Sequence, residues 1–173
     1  KGMKDNINRK QPSINDVVKY KGFPLFSFIE LNINEICNRK CVFCPRVDPK
    51  VFPNRNLHMD LKLTKKIATN LKDINYKGRL SFSGFGEPLL TKNLLEHLKI
   101  FREELKQNNL ETNTNGDKLN PDVIKNLFKS GLTNLYINAY DGPHQIEKFE
   151  KMIDEEKLVE TYSNKIFSSF LGR

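Results

Sequence analysis

Short β-prone segments and amphipathic helical segments alternate four times along this chain, and this alternation restricts the fold more than any other feature. The strands are predicted at about 23–34, 79–83, 109–113 and 133–139. Apolar residues at helical spacing follow them at 63–74, 91–106, 121–128 and 143–153. Repeated strand-then-helix units imply right-handed crossovers and a parallel sheet. The sequence therefore predicts an α/β fold, a partial (β/α) barrel with about four recognisable βα units.

The third helix has the clearest sequence boundaries. Asn120 is a favourable N-cap, Pro121 suits the first helical position, and Gly131 follows the last apolar residues. These residues predict a helix that begins at Pro121 and ends shortly before Gly131.

The chain is divided into three parts. Residues 1–22 are polar and are interpreted as an N-terminal arm, in which 13–18 is a candidate for a short helix. Residues 23–158 form the predicted core, with a buried strand at its start. Residues 159–173 are a tail or the start of a further unit, in which 159–162 is a candidate fifth strand.

The composition is typical of a globular protein in water. The 173 residues are 38% apolar and 29% charged, and no apolar run is long enough to span a bilayer. The polar N-terminal residues lack the apolar stretch of a signal peptide. We therefore expect a cytoplasmic protein, in which cysteines bind metal or act in catalysis more often than they form disulfides.

The formal net charge of +8 raises the question of an anionic partner. The lysines are dispersed along predicted helices rather than gathered in one arm, so a solvated surface is the simpler interpretation. Those considered are Lys62, Lys65, Lys66, Lys72, Lys99 and Lys106. Binding to nucleic acid stays open, but no recognition motif supports it.

The unusual residues of the chain directly follow the predicted strands. They are the cysteine segment 37–44, Gly-Phe-Gly-Glu-Pro at 84–88, Thr-Asn-Gly at 114–116 and Tyr-Asp-Gly at 140–142. In a parallel sheet such loops all emerge at one edge, where ligands bind. We therefore expect a binding site on this rim.

All three cysteines, Cys37, Cys41 and Cys44, lie in the first of these loops. A structural zinc site usually has four protein ligands, and His58 is the candidate for the fourth. A cubane iron–sulfur cluster usually has four cysteine ligands, so three cysteines leave one iron open. An open metal position is typical of a reactive centre rather than a structural one.

The spacing of the cysteines, with Phe43 before the last one, resembles the CxxxCx(aromatic)C signature of the radical S-adenosylmethionine (radical SAM) superfamily. The segment 84–88 is similar to the Gly-Gly-Glu motif of that family, and the resemblance covers about residues 26–156. It implies that Cys37, Cys41 and Cys44 bind a 4Fe–4S cluster whose open iron is chelated by SAM. In the family, reductive cleavage of SAM gives a 5′-deoxyadenosyl radical that abstracts hydrogen from the substrate.

The resemblance also implies cofactor-binding residues, which are Phe43, Gly84, Phe85, Gly86, Glu87, Asn113, Asn115, Asn138 and Asp141. Gly86 and Glu87 would receive the SAM ammonium group, and Phe43 would lie against the adenine. The asparagines and Asp141 are candidates for polar contacts to the ribose and carboxylate. For the glycines, a tight turn is the structural alternative.

The chain also departs from the family. Related members that modify peptides or sugars often bind auxiliary clusters, but no cysteine follows Cys44, so this chain is expected to bind at most one. Arg39, Lys40 and Arg46 are candidates to tune the cluster or to meet an anionic substrate, with exposed surface charge as the simpler interpretation. No catalytic acid or base is chosen, because the chemistry after hydrogen abstraction depends on the substrate.

We therefore predict a radical SAM enzyme, an oxidoreductase or a transferase, that acts on a peptide, a sugar, a nucleotide or a small metabolite. It would receive its electron from a donor such as flavodoxin or ferredoxin. One alternative is a structural or redox-sensing module that holds zinc or an iron–sulfur cluster and does not cleave SAM. The other is a nucleic-acid-modifying radical SAM enzyme.

Overall fold

The computed structural model of the protein describes residues 17–155, 158–162 and 165–170. Strands β1 (Lys19–Tyr20) and β2 (Phe23–Pro24) form a small antiparallel hairpin. Five parallel strands then form the main sheet in chain order: β3 (Phe28–Leu31), β4 (Arg79–Phe82), β5 (Leu110–Thr114), β6 (Asn134–Ala139) and β7 (Ile166–Phe170).

Helices connect successive strands of this sheet. They are α1 (Leu61–Asp73), α2 (Leu94–Glu104), α3 (Pro121–Lys129), α4 (Pro143–Glu155) and α5 (Leu158–Tyr162), with short 3-10 turns at Pro45–Val47 and Pro88–Leu90. This arrangement confirms the predicted α/β class and its parallel βα units. The last connection contains both α4 and α5.

Helix α3 has the predicted boundaries. The Asn120 side chain accepts a hydrogen bond from the Val123 N–H at 2.9 Å, and Pro121 is the first helical residue. Gly131 follows the helix with φ +105°, a left-handed conformation that glycine adopts without steric cost. The capping residues therefore determine where this helix begins and ends.

The strands alternate between an apolar face and a polar face. On the helix side, Leu80, Phe82, Leu135 and Ile137 are fully buried in the hydrophobic core, where each side chain contributes about 2 kcal/mol relative to exposure. Because successive residues point to opposite faces, the residues between them face away from the helices. This polar face of the sheet extends to the carboxyl ends of the strands, where the rim loops begin.

Three details of the prediction are wrong. The first strand of the main sheet spans only Phe28–Leu31 rather than 23–34, and it is partly exposed because it is an edge strand that pairs only with β4. Helix α2 begins at Leu94 rather than at 91, because Asn93 before it has a left-handed φ of +57°. Residues 159–162 belong to a helix, since Leu158 and Tyr162, one turn apart, both pack on the core.

The predicted short helix at 13–18 lies largely outside the described residues, as does most of the proposed N-terminal arm. The division of the chain into arm, core and tail stays a prediction. Within the described residues, no helix has both the length and the apolar character needed to cross a membrane.

Candidate active site

The predicted rim loops meet at a cavity of about 360 Å³ beyond the carboxyl ends of β3 to β6. All four loops contribute to its lining, among others through the three cysteines, Glu87, Asn115 and Tyr140. Parallel strand order places these loops side by side, although up to about a hundred residues separate them in sequence.

The three thiols are partly buried, and all of them line this cavity. A turn holds the last two together, with the Cys44 N–H donating to the Cys41 carbonyl oxygen at 2.9 Å. The Arg39 N–H points to the Cys37 sulfur at 3.4 Å. Burial raises the pKa of the Cys37 and Cys41 thiols, and since metals bind thiolates, metal binding here would release protons.

The donor set fits an iron–sulfur cluster better than a single ion. Among the described residues, no three His, Cys, Asp or Glu side chains are close enough together to hold one metal ion. In a cubane cluster each cysteine binds a different iron, so the thiols surround the cluster and do not converge on a point. The described geometry therefore gives no support to a single zinc ion at Cys37, Cys41 and Cys44, and three thiols that line one cavity from one loop fit the three ligands that a cluster would need.

His58, the candidate fourth zinc ligand, is engaged elsewhere. Its Nε2 lies 2.9 Å from Asn56 Oδ1, and its Nδ1 accepts a hydrogen bond from the Lys92 N–H at 3.3 Å. It is not among the residues that line the described cavity. The structure therefore gives no support to a zinc site that combines His58 with the cysteines.

The segment after Cys44 supports the cysteine loop. Asn54 Oδ1 accepts hydrogen bonds from the Cys37 N–H at 2.9 Å and from Arg46 Nη1 at 3.0 Å. Arg46 also donates to the Phe85 carbonyl oxygen and lies 4.6 Å from the centre of the Phe52 ring. Arg46 is only 4% exposed, so it is a buried support of the loop, and the expectation of a surface charge is wrong.

The loop after β4 depends on a close approach between two backbone segments. A Cβ atom on Gly86 would lie 2.2 Å from Asn34 Oδ1 and 2.5 Å from the Asn34 carbonyl oxygen. The Gly86 N–H donates to Asn32 Oδ1 at 2.9 Å, and the Glu87 N–H donates to the Ile36 carbonyl oxygen at 2.7 Å. Glycine is therefore required at position 86 to bring this loop against the start of the cysteine loop.

The Glu87 carboxylate is buried and hydrogen-bonded on both oxygens. Oε1 accepts from the Thr114 hydroxyl at 2.6 Å and from the Leu89 N–H at 3.0 Å, and Oε2 accepts from the Asn115 N–H at 2.9 Å. Burial raises the pKa of Glu87, and these hydrogen bonds oppose the shift. Glu87 therefore joins its own loop to the next one, and its predicted contact with the SAM ammonium group stays a prediction.

The other predicted cofactor residues are placed as follows. Phe43, Gly84, Phe85, Asn113, Asn115 and Asn138 line the cavity together with Gly86, Glu87 and the cysteines. Phe43 packs on Tyr140, with ring centroids 5.5 Å apart. Asp141 is not among the lining residues and instead forms an ion pair with Arg39 at 2.8 Å. The structure thus brings all of the candidates except Asp141 to the cavity, and their individual roles stay predictions.

Some lining residues were not predicted from the sequence. Glu30 and Ser83 line the cavity from β3 and from the end of β4, and Ser83 Oγ donates to Glu30 Oε2 at 2.7 Å. Two residues that the sequence analysis did single out, Arg39 as a candidate near the cluster and Tyr140 as part of a rim loop, also line it. The alternation of β3 and β4 carries the signal, because it places Glu30 and Ser83 on the face opposite the apolar core.

Comparison with known proteins gives the class to which this fold and site belong. The chain matches the family model of the Radical SAM superfamily over residues 31–164, and it belongs to that superfamily. A similar curated protein is the S-adenosyl-L-methionine-dependent 2-deoxy-scyllo-inosamine dehydrogenase of Niallia circulans. It is 32% identical over 131 residues, which cover 76% of this chain and 51% of that protein.

Two solved structures of the protein BtrN are also similar. The crystal structure of BtrN in complex with AdoMet and 2-DOIA has a TM-score of 0.74 and 30% identity, and the match covers 85% of this chain and 57% of that chain. Selenomethionine BtrN in an open conformation has a TM-score of 0.64 and 26% identity over the same shares. This chain therefore spans about half the length of the relatives that it matches.

These findings confirm the predicted enzyme class and its cofactors, a 4Fe–4S cluster and SAM. The thiols of Cys37, Cys41 and Cys44 are the residues that would hold the cluster, since they line one cavity from one loop. The substrate and the net reaction are a separate question.

Proposed function

We propose that this chain is the radical-generating core of a SAM-dependent dehydrogenase that oxidises a secondary alcohol of a cyclitol or a similar sugar-like molecule. The similarity to a scyllo-inosamine dehydrogenase supports the substrate class. The observation that carries the proposal is a row of hydrogen-bonded polar side chains beside the cysteine loop.

This row crosses three strands on the polar face of the sheet. Ser83 Oγ donates to Glu30 Oε2 at 2.7 Å and lies 2.8 Å from Ser81 Oγ, which accepts from Asn113 Nδ2 at 3.3 Å. Hydroxyl, amide and carboxylate groups together supply both donors and acceptors. Ser81 is fully buried, whereas Glu30, Ser83 and Asn113 line the cavity, and their groups suit a molecule that carries several hydroxyl groups.

When bound, the cluster and SAM supply a 5′-deoxyadenosyl radical that removes a hydrogen atom from carbon. Oxidation of an alcohol to a ketone removes that hydrogen atom, the hydroxyl proton and one further electron. The hydrogen atom would end in 5′-deoxyadenosine, and the hydroxyl proton would pass to a base. The cluster that Cys37, Cys41 and Cys44 would hold is oxidised once SAM has been cleaved, and it would take up the remaining electron. The protein must therefore supply a base within reach of the hydroxyl group.

Glu30 is the carboxylate best placed to accept this proton. Of the two glutamates that line the described cavity, Glu87 has both oxygens engaged by donors of the protein. Glu30 is exposed to the cavity and accepts a hydrogen bond from Ser83. We assign Ser83 the role of orienting the Glu30 carboxylate toward the substrate.

The complete enzyme, reconstituted anaerobically with iron and sulfide, tests this function. Its substrate would be an amino- or deoxycyclitol that carries deuterium on the carbon to be oxidised. The proposal predicts deuterium in 5′-deoxyadenosine and one ketone for each 5′-deoxyadenosine formed. If 5′-deoxyadenosine forms without deuterium and without ketone across a panel of cyclitols, the proposed substrate class is wrong.

The other predicted partners have less support. An electron donor such as flavodoxin or ferredoxin stays a prediction. For nucleic acid, the lysines considered on α1, α2 and the segment after α2 are all exposed, and Lys65 and Lys72 both bind Glu104. These contacts agree with a solvated surface, and no observation favours the nucleic-acid alternative.

A further inference from the structure

One arginine of the cysteine loop binds the acidic residues of two other rim loops at once. Arg39 Nε and Nη2 contact Asp117 Oδ2 and Oδ1 at 2.7 and 2.6 Å. Its Nη1 and Nη2 contact Asp141 Oδ1 and Oδ2, both at 2.8 Å. Asp117 follows β5 and Asp141 follows β6, so this side chain joins three of the four rim loops. We call Arg39, Asp117 and Asp141 the rim clasp.

Both contacts of the rim clasp have the geometry in which arginine binds most strongly. A guanidinium group that meets a carboxylate through two parallel N–H donors forms a charge-assisted, directional pair. The side chain of Arg39 is 16% exposed and that of Asp117 28%, so solvent screens this pair less than a surface ion pair. The Arg39 guanidinium lowers the pKa of Asp117 and Asp141, which keeps both carboxylates charged.

Each aspartate of the clasp also makes hydrogen bonds on its own side of the contact with Arg39, Asp117 through its backbone and Asp141 through both its backbone and its carboxylate. The Asp117 N–H donates to Asn115 Oδ1 at 3.0 Å. Gln145 Nε2 donates to Asp141 Oδ2 at 2.8 Å, and Gln145 Oε1 accepts from the Asp141 N–H at 3.0 Å. The backbone of Asp117 and the carboxylate of Asp141 are therefore held by residues outside the cysteine loop, and the two aspartates can set the position of that loop.

The clasp continues to the loop that carries Glu87. Asn38, next to Arg39, donates to Asp117 Oδ2 at 2.6 Å and accepts from Asn115 Nδ2 at 2.9 Å. The Asn115 N–H in turn donates to Glu87 Oε2. A continuous set of hydrogen bonds thus runs from the cysteine segment to the Gly-Phe-Gly-Glu-Pro loop.

From these contacts we infer that Arg39 is a positioning residue that holds the cluster-binding loop at a fixed distance from the loops after β4, β5 and β6, which carry the residues predicted to bind SAM. The inference rests on the proposed function only in that SAM binds at the cluster, and it does not depend on the alcohol substrate. Since Arg39 supplies no thiolate, its removal leaves the cluster ligands intact. Removal of Arg39 instead disturbs the alignment of the cluster with SAM.

The test compares the complete reconstituted enzyme with its Arg39→Gln and Arg39→Lys variants, in the absence of any alcohol. Iron content measures cluster binding, and the change that SAM causes in the electron paramagnetic resonance spectrum of the reduced cluster measures alignment. We expect near-normal iron in Arg39→Gln but a dissociation constant for SAM raised by about tenfold, a typical coupling between two sites. Lysine keeps the charge but not the fork geometry, so Arg39→Lys should restore only part of the affinity.

Arg55→Gln is the matched control, because Arg55 pairs with Glu35 while its side chain is 57% exposed. It should leave the SAM titration unchanged. Asp117→Asn should raise the dissociation constant for SAM, as Arg39→Gln does. In the double variant, the loss of binding free energy should be smaller than the sum of the losses in the two single variants. Hydrogen exchange of the cluster-free chain should show faster exchange at residues 37–44 in Arg39→Gln.

Normal SAM affinity in Arg39→Gln at full iron content would overturn the inference. Loss of iron to the same extent in Arg39→Gln and Asp117→Asn would also overturn it, because the clasp would then serve only the stability of the loop. Neither result depends on whether the enzyme oxidises a cyclitol, so failure of the proposed function is recognised separately.

Discussion

The Oε2 atom of Glu87 accepts a hydrogen bond from the backbone N–H of Asn115 at 2.9 Å, and this contact joins the second rim loop to the third. The same carboxylate binds the Thr114 hydroxyl and the Leu89 N–H through its other oxygen. Glu87 therefore organises the rim in addition to its predicted contact with SAM.

The two roles of Glu87 are separable by substitution. Glu87→Ala leaves three donors without their acceptor, two of them on buried residues, and should lower the free energy of unfolding by about 2–4 kcal/mol. Glu87→Gln keeps one acceptor oxygen and should lower it less. Denaturant unfolding of the cluster-free chain measures this effect.

In the reconstituted enzyme, both Glu87 variants should retain iron and bind SAM more weakly, because the SAM ammonium group loses its anionic partner. Unchanged SAM affinity in Glu87→Gln would contradict the predicted contact. Unchanged stability in Glu87→Ala would contradict the role in joining the loops.

Gly86→Ala should disturb the same rim by steric means. The new Cβ would overlap with the side chain and the backbone carbonyl of Asn34, so the two loops must move apart. We expect a lower melting temperature and weaker SAM binding. Gly22→Ala is the control. Its φ of +86° is unfavourable for alanine, but a Cβ there would meet no atom within 4 Å, and Gly22 is not among the residues that line the cavity. Equal SAM affinity in Gly86→Ala and the wild type would contradict the close-packing argument.

Glu30→Gln tests the proposed base. Loss of a general base typically lowers the rate about 10²- to 10⁴-fold, so ketone formation should fall by this amount. SAM cleavage should continue, because the described hydrogen bond of the Glu30 side chain is with Ser83. It joins Glu30 neither to a cysteine nor to the Gly-Phe-Gly-Glu-Pro loop. The measured ratio of ketone to 5′-deoxyadenosine should therefore drop. Glu35→Gln, which removes an exposed ion pair with Arg55, should leave this ratio unchanged.

Glu104 gives a pH-dependent contribution to stability away from the site. Lys65 and Lys72 of α1 both bind it, at 2.5 and 2.9 Å, and lower its pKa to about 2. When the pKa of a carboxyl group is lower in the folded state than in the unfolded state, its ionised form stabilises the fold. This stabilisation is fully present at pH values above the unfolded-state pKa, and it is lost as the pH falls through the folded-state pKa. The melting temperature of Glu104→Gln should therefore lie below that of the wild type at neutral pH, and the difference should shrink as the pH falls from about 4.5 towards 2. Glu103→Gln, at the exposed neighbouring residue, serves as the control. A difference in melting temperature between Glu104→Gln and the wild type that does not change with pH would contradict the assigned role of Glu104.

Most of the architecture could be predicted from the sequence because local signals agreed with the fold. The spacing of the apolar residues and the capping residues Asn120 and Gly131 can be read within short segments of the sequence. These signals were enough to predict the helices and the alternation of strands and helices that produces a parallel sheet. The error at 159–162 shows the limit of such signals. Valine and tyrosine favour strands locally, but the packing of Tyr162 on Phe128, with ring centroids 4.3 Å apart, occurs in a helix.

The cavity was located from the sequence, but the contacts that organise it were not. Arg39 meets partners 78 and 102 residues further along the chain, and no local pattern specifies such pairs. A signal did exist, since Asp117 and Asp141 both lie in loops at the carboxyl ends of neighbouring strands. Parallel topology places such acids on the same edge as an arginine of the first loop.

The most direct test of the central claim is SAM cleavage by the complete, anaerobically reconstituted enzyme after reduction with dithionite. We expect about four iron atoms per chain and SAM-dependent formation of 5′-deoxyadenosine. Both should be lost in Cys41→Ala and retained in Val42→Ala, whose side chain is 86% exposed. A stable cluster that never consumes SAM, or 5′-deoxyadenosine formation that survives in Cys41→Ala, would contradict the assignment of this rim as a radical SAM site.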